Sequence, residues 1–81
     1  MKLPRDVSGR ELARALERAF GYRLIHQVGS HMVLQTQSPL PHRLAVPDHR
    51  TLRAGTLNAI VRAVATAQGR PKAEVLRQLL D

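Results

Sequence analysis

The sequence Y-R-L-I-H-Q-V-G-S-H-M-V-L-Q-T, residues 22–36, decides the fold of this chain. Residues 22–28 and 31–36 are rich in strand-forming side chains, and neither run contains glycine or proline. Gly29 and Ser30 between them have the composition of a tight two-residue turn. The stretch therefore predicts a β-hairpin, with one antiparallel strand on each side of the turn.

A helix is predicted before the hairpin, and a third strand after it. Ser8 followed by Glu11 matches the capping box, in which each side chain binds a backbone N–H at the helix start. Apolar residues then recur at helical spacing as far as Gly21, a residue typical of helix ends. After the hairpin, a loop with two prolines leads to a short strand over residues 43–46, which Pro47 ends.

Two more helices are predicted toward the end of the chain. The apolar spacing of residues 56–68 indicates a second helix, which Gly69 ends, and Pro71 suits the first turn of a third. We expect an α+β fold in the order α-β-β-β-α-α, because sequential strands with short connections pair antiparallel. The chain 1–81 is expected to form one domain, with residues 70–81 as an additional C-terminal helix.

Strand alternation predicts which side chains of the sheet face the helices. The side chains expected to face the helices are Leu24, Val28, Met32, Leu34, Leu44 and Val46. The open face would then carry Arg23, Gln27, His31, Gln35 and Arg43. His26 is expected to point inward, and His42 to lie solvated in the proline-flanked loop.

Length and charge narrow the functional classes. With 81 residues and no cysteine, the core is thin, so a partner chain or a homo-oligomer would add stability. The formal net charge is +7, and arginine supplies eleven of the thirteen Lys and Arg residues, which fits a polyanion: a nucleic acid or an acidic protein. No stretch is apolar enough to span a membrane, and residues 1–8 lack the apolar core of a signal peptide, so we expect a cytoplasmic protein.

His31 is the first candidate for chemistry. An imidazole at the head of a strand, directly after Gly29 and Ser30, can exchange a proton with a ribose hydroxyl while the turn binds phosphate. The competing interpretation is an ordinary hairpin turn followed by a half-exposed histidine. His49 can contact phosphate together with Arg50 and Arg53, or can simply bond the loop backbone. The spacing of the four histidines does not favour a metal site.

The order and spacing of four motifs resemble the HicA family of bacterial toxins. Over about residues 5–66, they are Gly21-Tyr22, Gly29-Ser30-His31, Val46-Pro47-x-His49 and Gly55-Thr56-Leu57-x-x-Ile60. The resemblance implies a fold similar to the double-stranded-RNA-binding domain, mRNA interferase activity independent of the ribosome, and neutralisation by a HicB antitoxin. The histidine after Gly-Ser is the family's functional residue, and in this sequence it is His31.

Two features depart from the family. Met32 and Val33 stand where many members carry a second histidine or an aromatic residue, and the tail after Gly69 is longer. The leading hypothesis is an endoribonuclease toxin without cofactor, in which His31 is general base or acid and Gly29 and Ser30 shape the phosphate site. The residues expected to hold the RNA backbone are Arg23, Arg43, His49, Arg50 and Arg53. The alternatives are a non-catalytic RNA-binding module and an interaction domain for an acidic protein.

Overall fold

The computed structural model describes residues 6–80. Predictions for residues 1–5 and for Asp81, the last residue of the expected C-terminal helix, lie outside this range. The elements are, in chain order, α1 (Gly9–Phe20), β1 (Arg23–Val28), β2 (His31–Thr36), β3 (His42–Pro47), α2 (Ala54–Gln68) and α3 (Lys72–Leu80). The predicted α+β order is confirmed, and it is consistent with the arrangement of the double-stranded-RNA-binding domain. The third strand extends one residue beyond each end of the predicted 43–46.

Helix α1 begins and ends on local signals. The Ser8 hydroxyl accepts a hydrogen bond from the Glu11 N–H at 3.0 Å, and the Glu11 carboxylate accepts one from the Ser8 N–H at 3.1 Å. This is the predicted capping box. Gly21 ends the helix in the left-handed region at φ +69°, where glycine avoids the steric cost of a side chain. Helix α1 therefore ends at a defined residue, and a two-residue connection leads from it to β1.

The three strands form one antiparallel sheet in the order β1-β2-β3. Val28 lies opposite His31 across the turn, and His26 lies opposite Val33. The register then shifts, because Ile25 is an extra residue between His26 and Leu24. Directly opposite residues share a face of the sheet. The β-bulge therefore interrupts the regular alternation of side chains between the two faces along β1.

The core lies between the helices and the inner side of β2 and β3. Met32, Leu34 and Val46 from the sheet are buried, as are Leu16 from α1 and Val61 from α2. At the end of β2, the buried Thr36 hydroxyl donates to the Phe20 carbonyl at 3.1 Å and so ties the sheet to the end of α1. No helix within residues 6–80 is long and apolar enough to cross a membrane.

The face assignment is wrong for part of β1. Val28 is 63% exposed rather than packed against the helices, and Gln27 pairs with buried Met32 instead of lying on the open face. A two-residue turn forces this result, because it places Val28 directly opposite His31. His26 is likewise exposed on the open side, not inward.

At the other end of β1, the bulge restores the predicted sides. Arg23 pairs with Gln35 on the open face, and Leu24 pairs with Leu34 on the helix side. Leu24 nevertheless remains 49% exposed. The reason is that β1 is an edge strand that the helices leave largely uncovered, and all six of its residues are exposed.

Candidate active site

The Gly29-Ser30 turn places His31 at the start of β2 with an exposed side chain. Gly29 has φ +58°, whereas no non-glycine residue between 6 and 80 has a positive φ. A glycine with positive φ at the first central position is typical of a type II′ hairpin turn. An added Cβ at Gly29 would meet no atom within 4 Å, so the backbone angle alone requires glycine there.

Hydrogen bonds fix this turn to the segment after β3. The Asp48 N–H donates to the Ser30 carbonyl at 2.6 Å. The Gln27 side-chain amide donates to the Gly29 carbonyl at 3.1 Å and to the Asp48 carboxylate at 3.3 Å. Arg10 of α1 donates to the same carboxylate oxygen at 3.0 Å. Asp48 and Gln27 thus hold the turn backbone directly, and Arg10 supports it through the Asp48 carboxylate.

The sequence did not reveal these anchoring roles of Asp48, Gln27 and Arg10. Asp48 stands next to a motif residue, His49, but its contacts cross from β3 to the hairpin turn and to α1. Such contacts depend on tertiary packing, and no local pattern encodes them.

Two arginines line up across the open face of the sheet. Arg23, Gln35 and Arg43 are paired neighbours on β1, β2 and β3. Arg43 donates to the Gln35 side-chain oxygen through Nε at 3.2 Å and Nη2 at 2.9 Å. This row lies four residues from His31 along β2, which corresponds to about 13 Å at the usual rise per strand residue. The open face therefore has an imidazole end and a guanidinium end.

No acidic side chain offsets these charges within the sheet. The sequence has no Asp or Glu between Glu17 and Asp48, a segment that contains all three strands. The Asp48 carboxylate itself is bound to Arg10 and Gln27 on the helix side. An anion that approaches the open face consequently meets positive charge and hydrogen-bond donors without an opposing carboxylate on the strands.

The other predicted phosphate-binding residues lie in the exposed segment after β3. His49 and Arg50 follow Pro47, which pairs with His31, so their segment leaves the sheet at the imidazole end. The His49 carbonyl accepts a hydrogen bond from the Gly9 N–H at 2.9 Å, which holds this segment against α1. Arg53 is separated from them by buried Leu52 and is the N-cap residue of α2.

His42 belongs to the core side of the sheet and not to the site. Its Nδ1 is 2.7 Å from the Tyr22 hydroxyl oxygen, and the two rings meet edge to face. The prediction of a solvated loop histidine is wrong, because His42 begins β3 opposite buried Thr36. Burial raises the pKa of the Tyr22 hydroxyl above its usual value, with a smaller opposing effect from Gln68.

Residues 6–80 contain no group of three or more His, Cys, Asp or Glu side chains placed to hold a metal ion. The functional groups that the open face does present are imidazole, guanidinium, amide and backbone N–H. These groups can bind a phosphodiester and exchange protons with it.

Comparison with known proteins gives a family match over residues 9–65. This range, which contains the three strands, the turn and most of α2, matches the family described as the HicA toxin of bacterial toxin–antitoxin systems. No curated protein and no solved structure matched the chain. Because the matched range is more than half of the sequence, the chain belongs to the HicA toxin family.

Proposed function

We propose that this toxin is a metal-independent endoribonuclease that cleaves mRNA in the cytoplasm and depends on His31. The observation that carries the proposal is the position of His31. Its exposed imidazole stands on an acid-free sheet face, directly after a glycine-dependent turn, within the range matched to a toxin family. A histidine with only a structural role in the hairpin would require neither the hydrogen bonds that hold the Gly29-Ser30 turn nor a sheet face without carboxylates.

The imidazole of His31 would act on the phosphodiester as general base or general acid. As a base it would take the proton of the ribose 2′-hydroxyl, whose oxygen then attacks phosphorus. As an acid it would protonate the leaving 5′ oxygen. Either role is worth about 10²–10⁴ in rate. Gly29 and Ser30 would shape the phosphate site, because the turn backbone is held by Asp48 and Gln27.

The RNA backbone would run along β2 between the two ends of the open face. Arg23 and Arg43 would bind phosphates at the guanidinium end, since arginine forms planar contacts with phosphate oxygens. His49, Arg50 and Arg53 would add contacts near the imidazole end. Phosphate contacts of this kind position RNA without reading its sequence.

Membership of a toxin–antitoxin family implies a cognate antitoxin. We expect a HicB-like protein whose surface is acidic where it covers the open face, because that face carries Arg23 and Arg43 and no strand carboxylate.

The test compares wild-type protein with His31→Ala and His31→Gln in RNA cleavage assays that contain EDTA. We expect cleavage by the wild type and a loss of about 10²-fold or more in both variants. RNA affinity, measured by fluorescence anisotropy, should stay within a few fold, and circular dichroism should report an unchanged fold.

Four other results would contradict the proposal. Equal cleavage by wild type and variants would exclude the role of His31. A need for added metal ions would exclude the metal-independent mechanism. RNA binding without cleavage by wild type would favour the non-catalytic RNA-binding module, and RNA affinity that does not change with salt would favour an acidic protein as partner.

A further inference from the structure

A second histidine shares the open face with His31. Val28 lies opposite His31, and His26 lies opposite Val33, two residues further along β2. Because directly opposite residues project from the same face, and alternate residues of one strand do so as well, the side chains of His26 and His31 are on the same side. Both are exposed.

The two histidines are diagonal neighbours across the β1–β2 ladder. Such neighbours lie about 7–8 Å apart, a distance that ring side chains can bridge. Val28 lies opposite His31 and Val33 lies opposite His26, so these two valines complete the group of four open-face residues, in which both histidines are exposed. A group the size of one phosphodiester can therefore contact both imidazoles from the solvent side.

The register that creates this pair is specific to the hairpin. The two-residue turn fixes His26 and Val28 to the face of His31, and the bulge at Ile25 then reverses the alternation. As a consequence Arg23 also lies on the open face, at its far end. Arg43 on β3 lies at the same far end, and no strand residue is acidic.

We propose that His26 is the second proton-transfer group of the nuclease, a catalytic partner of His31. This inference rests on the proposed function and completes it, since cleavage of RNA through its 2′-oxygen needs one group that takes a proton and one that gives a proton. The substrate class is an RNA phosphodiester that carries a free 2′-hydroxyl.

The chemical step balances with these two residues alone. One neutral imidazole takes the 2′-hydroxyl proton while the 2′ oxygen forms a bond to phosphorus. The bond between phosphorus and the 5′ oxygen breaks, and the other, protonated imidazole gives its proton to that oxygen. The products are a 2′,3′-cyclic phosphate and a 5′-hydroxyl end. One proton is taken up and one is released, so no metal ion or further reactant is consumed.

The first experiment measures cleavage of a short RNA by wild type, His26→Ala, His26→Gln and His31→Ala. We expect both His26 variants to lose about 10²–10⁴ in kcat and to bind RNA within a few fold of wild type. Leu40→Ala is the control, because it alters an exposed apolar residue, 69% accessible, in the loop between β2 and β3, which has no titratable group and no role in the site. It should cleave at close to the wild-type rate.

The second experiment uses an RNA whose scissile 5′ oxygen is replaced by sulfur, a leaving group that needs no proton. The variant that lacks the general acid should regain most of its rate on this substrate, and the variant that lacks the general base should not. Rescue of one variant, His26→Ala or His31→Ala, therefore supports the pair and assigns the two roles. Rescue of neither or of both would contradict the proposal.

A pH profile gives an independent readout. A pair with one acid and one base predicts a bell-shaped dependence of kcat/KM on pH in wild type, and one limb of the bell should disappear in His26→Gln. If His26→Ala cleaves normally while His31→Ala does not, the inference fails and the proposed function stands. If the wild type does not cleave RNA, both fail.

Discussion

At the scale of the residue, Ile25 has more influence on the site than its side chain suggests. As the extra residue of β1, it separates two parts of the strand. The turn sets the register of residues 26–28 with β2, and on the other side of Ile25 Arg23 pairs with Gln35. Without the bulge, a strand with His26 on the open face would place Arg23 on the helix side. With it, one face receives the imidazoles of His26 and His31 and the guanidinium groups of Arg23 and Arg43, groups that can bind a phosphodiester and exchange protons with it.

Gly29 offers a test of the turn conformation. We predict that Gly29→Ala lowers the free energy of unfolding by about 1–2 kcal/mol, because alanine pays that cost at φ +58°. No neighbouring atom adds to it, since an added Cβ meets nothing within 4 Å. Guanidinium denaturation measures the change. Gly55→Ala is the matched control, because Gly55 lies in the first turn of α2 with open space around it, so this substitution should not lower the free energy of unfolding.

Tyr22 provides a pH-dependent test of the core. Burial raises the pKa of its hydroxyl, so the folded state keeps this proton at a pH where the unfolded chain, with an ordinary pKa of about 10, loses it. The contribution to stability is therefore complete below pH 10 and declines as the pH rises above it. We predict that wild type loses stability faster than Tyr22→Phe above pH 10.

The measurement compares the unfolding free energies of these two proteins near pH 7 and above pH 10. Near pH 7 the wild type should be more stable by about 1 kcal/mol, because Tyr22→Phe removes the hydrogen bond to His42. A difference that stays constant with pH would contradict the prediction. Tyr22 is the only tyrosine and the chain has no tryptophan, so phenolate absorbance reports its ionisation directly.

At the scale of the element, the start of α1 and the end of β3 form one structural joint. The Gly9 N–H donates to the His49 carbonyl at 2.9 Å, and the Leu52 N–H donates to the Val7 carbonyl at 2.8 Å. These bonds hold the segment that contains Asp48, which in turn holds the Gly29-Ser30 turn. The orientation of His31 thus depends on a contact between two elements that are far apart in sequence.

Gly9→Ala tests this joint. A Cβ at Gly9 would overlap the carbonyl oxygen of Pro47, so α1 and β3 would have to separate. We predict a loss of about 1–3 kcal/mol, as for other overpacked contacts, measured by guanidinium denaturation. Ser8→Ala is the comparison, because it removes only the N-cap and should cost about 1 kcal/mol.

Cleavage assays separate these two variants further. Gly9→Ala should also reduce RNA cleavage under conditions where the protein is still folded, whereas Ser8→Ala should not. If Gly9→Ala were as stable and as active as wild type, the joint would have no role in positioning the turn.

At the scale of the whole molecule, the sheet differs from helices α1 and α3 because its strands carry no carboxylate. Arg10 of α1 is paired with Asp48, which follows β3, and Arg70, between α2 and α3, is paired with Glu74 of α3. The arginines of the sheet face no strand carboxylate. The positive charge of the open face is therefore not offset within the sheet, and this face is suited to a polyanion.

The salt dependence of RNA binding tests this distribution. We predict that affinity for single-stranded RNA falls as salt rises, and that Arg43→Gln reduces the slope of log K against log salt by about 0.7, the value for one lost phosphate contact. Arg70→Gln removes the same charge from the connection between α2 and α3 and should leave the slope unchanged. Equal effects of the two variants would mean that net charge, and not the open face, governs binding.

The sequence by itself determined the elements, their order and the position of His31. Capping residues, helical spacing, glycine stops and the Gly29-Ser30 turn are local signals, and each acts through bonds between residues close together in the chain. Each family motif is also a short run of neighbouring residues, so the resemblance to the family depends on the sequence alone.

Only the tertiary structure decided which side chains join His31. The face on which the His26 side chain lies depends on the hairpin register. The face of Arg23 depends on the bulge at Ile25, and no residue type in β1 predicts that bulge. The hydrogen bond between Tyr22 and His42 and the Asp48 bonds to the turn likewise join distant segments. A shift of one residue in register reverses every face, and that choice is made by packing across the whole sheet rather than by any local sequence.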